Sequence, residues 1–172
     1  RTLAQPADWY AAARAAIARA CETDPARIVI KEQRRQRGLS QHEKLGEQHL
    51  AVVAREGGLK FDVNLTDYID VGLFLDHRQT RAMVREASAG KRFLNLFCYT
   101  GSFTVYAAAG GATSTTSVDL SNTYLDWAQR NLALNGQWPG GHRLVKSDVL
   151  EFLRAHARGH NYDLAVVDPP TF

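Results

Sequence analysis

The rhythm of apolar residues changes partway along this chain. Ala7 to Ala20 (ADWYAAARAAIARA) is Ala-rich, has no breaker and predicts a helix. Pro6 suits its first turn, Asp8 complements its positive end, and Asp24-Pro25 stops the run. Ile28–Ile30 is short and β-branched and predicts a strand. Two apolar segments, Leu50–Ala54 and Leu59–Leu65, flank Arg55-Glu56-Gly57-Gly58, a hairpin signal with glycine where positive φ is needed. Phe61, Val63 and Leu65 alternate with Lys60, Asp62 and Asn64, as in a half-buried strand.

Further on, short strands alternate with helical segments. Helices are expected over Arg78–Ala89, Phe103–Ala109, from the cap Ser121 to about Leu134, and over Val149–Ala157. Strands are expected over Arg92–Phe97, Ser114–Val118, His142–Lys146 and Tyr162–Val167. Such alternation predicts right-handed β-α-β units and a parallel sheet. The expected architecture is therefore α/β: a Rossmann-like parallel sheet over 71–172, preceded by a small α+β domain over 1–70. A doubly wound sheet ordinarily continues past a fourth strand, so a fragment of a longer protein is expected.

Composition narrows the class. The 172 residues are 45% hydrophobic and 23% charged, which fits a globular chain rather than a disordered one. No apolar run is long enough to span a membrane, and the first eight residues lack a secretory layout. The two cysteines, Cys21 and Cys98, have neither metal-ligand spacing nor a partner framework; a reducing, cytoplasmic setting without a metal is expected. The net charge of +3 is modest. Lys31, Arg34, Arg35, Arg37 and Lys44 nevertheless cluster against only Glu32 and Glu43, either as a solvated face or as an RNA-binding surface.

Candidate chemistry sits just after the strands, where sheets of this kind bind ligands. After the first comes Cys98-Tyr99-Thr100-Gly101-Ser102, in which Gly101 permits a tight turn and a close approach. The three-glycine dinucleotide fingerprint and the Walker lysine are both missing, which disfavours a nicotinamide oxidoreductase and a phosphate cradle. After the second stands Asp119, 18 residues beyond Gly101, at a spacing suited to ribose hydroxyls. After the third, Asp148 either caps the next helix or accepts a bond from an adenine amino group; the two roles are compatible. After the fourth, Asp168-Pro169-Pro170-Thr171-Phe172 removes two N–H donors, turns carbonyls toward a substrate and offers Phe172 for stacking on a base. Ahead of the sheet, Gly72-Leu73-Phe74-Leu75-Asp76-His77-Arg78 opens a helix; Arg78 suits a carboxylate and Phe74 an apolar ligand surface.

The strings NLTDYIDVGLFLDHRQTR, NLFCYTGSFTVYAA, TTSVDLSNTYLDWAQRNLALNG and VVDPPTF resemble the C-terminal methyltransferase of the bifunctional bacterial 23S rRNA guanine methyltransferases of the K/L type. The resemblance implies a class I methyltransferase fold, S-adenosylmethionine as cofactor, 23S ribosomal RNA as partner and guanine N7 as target. It also implies a separate guanine-N2 methyltransferase in the full-length protein. It places cofactor contacts on Phe74, Arg78, Thr100, Gly101, Asp119, Asp148 and Asp168, with Asp168, Pro169, Pro170 and Phe172 facing the reacting base. The related rRNA cytosine-C5 methyltransferases share Gly-Leu-Phe-Leu-Asp and Asp-Pro-Pro but use a nucleophilic cysteine from a later motif, a role suited to neither Cys21 nor Cys98.

Overall fold

The computed structural model describes residues 6–31, 50–156, 159 and 162–170. They belong to two compact units: Arg1–Leu50 with Leu65–Ile69, and Ala51–Asn64 with Asp70–Phe172.

In the first unit the expected helix is α1 (Ala7–Ala20), followed by a 3-10 turn, Pro25–Arg27. Asp24 caps that turn by accepting the Ala26 N–H at 2.8 Å. Ile28–Ile30 forms no strand. A β-branched triplet is only a propensity, and no described segment supplies a ladder for it. Of the basic cluster, Arg34, Arg35, Arg37 and Lys44 lie outside the described residues.

The second unit opens with a hairpin, β1 (Ala51–Glu56) and β2 (Leu59–Asn64). Pairing runs through Arg55↔Lys60 and Glu56↔Leu59, so the turn is the two residues Gly57 and Gly58, both at positive φ (58° and 80°). A boundary near Asp70 would put this hairpin in the first domain. It packs instead within the unit of the parallel sheet, for two reasons that hydrophobic periodicity does not carry.

One reason is helix α4 (Asn122–Leu134), which completes the free edge of β2 with side chains. Trp127 Nε1 donates to the Asp62 carbonyl at 2.8 Å, and the Asp62 N–H donates to Asn131 Oδ1 at 2.8 Å. Asn135, just past the helix, accepts the Lys60 N–H at 2.9 Å and donates to the Lys60 carbonyl at 2.7 Å. Residues spaced by four share a helix face, so this one stripe acts as a surrogate strand.

The other reason is an ion pair. Arg81, on α2 (Arg78–Ala87), grips Glu56 with Nε to Oε1 at 2.8 Å and Nη2 to Oε2 at 3.0 Å, and both side chains are buried. Tyr106 donates to Glu56 Oε1 at 3.0 Å.

The remaining elements are β3 (Arg92–Leu96), α3 (Ser102–Ala109), β4 (Ser114–Asp119), β5 (His142–Lys146), α5 (Val149–His156) and β6 (Leu164–Val167). The four strands form one parallel sheet, as expected, in the order β5-β4-β3-β6. Alternation along the strands feeds two cores. Leu94, Leu96 and Val118 pack on Val149 and Phe152 of α5, while Phe93 packs on Val84, Phe103 and Ala107 of α2 and α3. Burying a side chain such as Phe93 or Phe103 contributes roughly 1.5–3 kcal/mol. At the opposite end from the strand tips, Arg92 and Asp163 form a bidentate pair, each contact at 3.0 Å, that registers β6 beside β3.

Candidate functional site

Strand order reverses beside β3: the chain goes on to β4 and β5 on one side, then returns to β6 on the other. β3 and β6 stay paired to their last residues, Leu96↔Val167; in open sheets of this kind the ligand crevice lies beyond the strand ends at this switch point.

The turn after β3 forms one wall. Phe97, Tyr99 and Gly101 all have positive φ (57°, 49° and 71°). For the two aromatic residues this conformation is strained by about 1–3 kcal/mol each, and it persists because the surroundings fix it. Asp119, at the tip of β4, supplies much of that fixing. Its Oδ2 accepts the Tyr99 N–H at 2.9 Å and its Oδ1 accepts the Ser121 N–H at 2.9 Å. The carboxylate is half-buried, and each oxygen keeps a lone pair for a ligand.

Gly101 is confined by protein rather than by open space. A Cβ there would lie 2.6 Å from the Ala128 Cβ, so the close approach is that of α4. Thr100 is fully buried, its hydroxyl donating to the Gly72 carbonyl at 2.6 Å and its own carbonyl accepting Asn131 Nδ2 at 2.8 Å. Its side chain thus shapes the turn from inside and does not face the crevice. Beneath the turn, Asn95 Nδ2 donates to Thr104 Oγ1 at 2.9 Å, which pairs with Ser117 Oγ at 2.7 Å, all three residues being buried.

Aromatic rings back this wall. Tyr99 contacts Phe74 (centroids 5.4 Å apart), Tyr124 (4.6 Å) and Trp127 (6.4 Å). Burial pushes the Tyr99 phenol well above its ordinary range; the Gly72 amide opposes that shift without closing a hydrogen bond, and the phenol oxygen has no partner among the described residues. Phe74 and Leu120 remain exposed at the same end of the unit. Cys98 is buried, and its thiol is pushed up by burial first and then by the Asp119 charge, which removes it as a nucleophile.

Asp148 caps α5, its Oδ1 accepting the N–H groups of Leu150 (2.9 Å) and Glu151 (3.1 Å). Oδ2 has no hydrogen-bond partner among the described residues, so capping leaves an acceptor in place. On the far wall, Asp168, Pro169 and Pro170 extend from β6, all exposed. Asp168 Oδ2 stands 3.6 Å from His77 Nε2, and the His77 ring sits edge-on to Phe103. His77, which carries no firm signal in the sequence, is thus the residue of the Gly72–Arg78 segment that meets Asp168. Arg78 instead lines a cavity on the α2–hairpin side, and its N–H is taken by the Leu75 carbonyl at 3.2 Å. Phe172 lies outside the described residues. In the first unit, Lys31 donates to the carbonyls of Tyr68 and Ile69, which anchors its ammonium there.

The donor and acceptor set fits an adenosyl ligand: a fixed carboxylate for a vicinal diol, a second acid one strand further along, and exposed apolar surface from Phe74 and Leu120. Among the described residues, no group of three or more His, Cys, Asp or Glu side chains is placed to hold a metal. Nor is any helix there long and apolar enough to cross a membrane.

The fold and crevice are those of a class I methyltransferase, and the model of the S-adenosylmethionine-dependent methyltransferases matches residues 7–172. The chain belongs to that family, whose cofactor is S-adenosylmethionine. It is 54% identical to a ribosomal RNA large subunit methyltransferase K of Neisseria meningitidis over 165 residues, 95% of this chain and 47% of that protein. It is 54% identical to a ribosomal RNA large subunit methyltransferase K/L of Pseudomonas putida over 158 residues, 92% of this chain and 21% of that protein. The chain thus spans about half of one relative and about a fifth of the other. Among solved structures, a methyltransferase complexed with SAH aligns at a TM-score of 0.68 and 38% identity, covering 73% of this chain and 33% of that one.

Proposed function

We propose that the protein containing this chain methylates guanine N7 of 23S ribosomal RNA, and that a guanine-N2 methyltransferase shares the full-length polypeptide. Two acids on opposite sides of the switch point, Asp119 and Asp168, carry the reading. Its support from relatives is the 54% identity to two ribosomal RNA large subunit methyltransferases.

The bound cofactor supplies an electrophilic methyl group on a sulfonium. In this reading Asp119 accepts from the ribose hydroxyls with the lone pairs that the Tyr99 and Ser121 amides leave open. Asp148 accepts from the adenine amino group through Oδ2 while Oδ1 caps α5. Phe74 covers the apolar flank of the ligand.

Guanine N7 carries an in-plane lone pair and no proton, so its methylation needs no general base. The residues act by positioning the base and by excluding water. Asp168 and the carbonyls of the Asp-Pro-Pro run are acceptors with no competing N–H at the two prolines, and they match the N1–H and amino donors of guanine.

The test uses the full-length protein, labelled S-adenosylmethionine and unmodified 23S rRNA, with nucleoside analysis of the product. Label in 7-methylguanine is expected. Label in 5-methylcytosine, or none in rRNA, overturns the proposal.

A further inference from the structure

A second concave surface lies in the sheet unit. It is a cavity of about 1140 Å³ between the β1–β2 hairpin and helices α2 and α3. Three of its lining residues are exposed arginines: Arg55 from β1, and Arg78 and Arg85 from α2. Arg85 donates to the Gly57 carbonyl at 2.9 Å and so has a fixed direction. Arg55 and Arg78 have no ion-pair partner among the described residues. The acids do not balance them. Glu56 is buried and neutralised by Arg81, which leaves Glu86 as the one other acid in the lining. The wall therefore carries three cationic heads against one carboxylate.

Its geometry favours a strand-like polyanion. Arg78 and Arg85 are seven residues apart on one helix face, about 10 Å along the axis at ~1.5 Å per residue. That is about three steps of a stacked nucleic-acid strand at ~3.4 Å each. The cavity also begins next to the crevice, because Arg78 follows His77, and His77 meets Asp168 at 3.6 Å.

We propose that this cavity is a groove for the phosphodiester backbone of the RNA substrate, which leads the strand carrying the target base to the switch-point crevice. The inference rests on the reading of the substrate as RNA. Arg55, Arg78 and Arg85 contact phosphates, without base readout, and release bound counterions when the strand docks.

Two substitutions in the full-length protein test it. Ala82→Glu puts a carboxylate into the groove between Arg78 and Arg85, at helical spacings that pair it with both, so α2 stays intact. Arg55→Gln removes one charge from the opposite wall. A 23S rRNA transcript is the probe, with binding followed across a salt series. Each variant is expected to weaken RNA binding about five- to tenfold near physiological salt and to lower the salt slope by about one. SAH affinity and melting temperature should stay at wild-type values. Met83→Glu, on the same helix but outside the groove, should bind RNA as wild type does. Wild-type affinity and slope in Ala82→Glu overturn the proposal. So does loss of poly-glutamate binding without loss of RNA binding, which would assign the groove to an acidic protein partner. The wild-type nucleoside product judges the substrate reading separately, since the groove is judged by binding alone.

Discussion

The Asp119 carboxylate holds the backbone N–H of Tyr99 at 2.9 Å, across 20 residues of sequence. The proposed ribose acceptor is therefore also the clamp that keeps a strained turn in its left-handed conformation. Asp119→Ala should lower stability by ~1–3 kcal/mol, because two amide donors lose their acceptor. It should also weaken SAH binding by one to two orders of magnitude, roughly 1.4 kcal/mol per tenfold. Calorimetry and denaturant melts on the same samples read both effects. Unchanged values in both would remove Asp119 from the site and from the clamp.

Gly101 is under two constraints at once, a φ of 71° and a Cβ position 2.6 Å from Ala128. Gly101→Ala should cost about 2 kcal/mol or more. Gly136→Ala, at a φ of 67° but with nothing within 4 Å, should cost only about 1 kcal/mol. Adding Ala128→Gly to Gly101→Ala should recover part of the difference. Equal losses at the two glycines would show that close approach by α4 does not matter.

The hairpin lock predicts an alkaline limit. Tyr106 is pushed up from 10.0 to about 12, by burial first and then by its bond to Glu56, with Arg81 opposing. A group whose pKa rises on folding contributes fully below its unfolded value and loses that contribution as pH rises through the folded one. Stability should therefore hold up to about pH 10 and fall between about pH 10 and pH 12, and Tyr106→Phe should flatten that fall. Breaking the buried pair with Arg81→Met should cost ~3–5 kcal/mol at neutral pH. Urea midpoints across this range check both.

The two cysteines should differ in reactivity. Cys98 is buried with its thiol pushed up, and Cys21 is exposed. Alkylation of the native protein followed by peptide mapping should find Cys21 modified and Cys98 spared until denaturant is added. Early modification of Cys98 would mean that the turn opens on its own.

Residues whose role is set by their neighbours in sequence were legible before the fold was known. The α4 cap at Ser121, the two-glycine turn and the acids at the tips of β4, β5 and β6 follow from local rules of capping, left-handed backbone and strand-end placement. Residues whose role is set across the fold were not. Glu56 reads as part of a polar turn, yet Arg81, 25 residues on, draws it into the interior. The resemblance places a cofactor contact at Thr100, and its side-chain hydroxyl is bound to the Gly72 carbonyl, 28 residues earlier. The placement of Arg78 away from Asp168, and of His77 beside it, depends on helical phase at a helix start that no local pattern sets to within one residue. Asn131 and Asn135 did leave a trace: amide side chains four residues apart, in line with Trp127 on an otherwise apolar helix face, mark buried hydrogen bonding.

That stripe on α4 also bears on the order of assembly. Asn131 accepts from the Asp62 amide, 69 residues earlier, and donates to the Thr100 carbonyl, 31 residues earlier. On a ribosome the hairpin and the turn after β3 emerge well before the amide that joins them. Each must wait, with polar backbone uncapped, until α4 has been made. One side chain then bonds to both, so hairpin edge and ligand-facing turn are tied to each other only once α4 is in place.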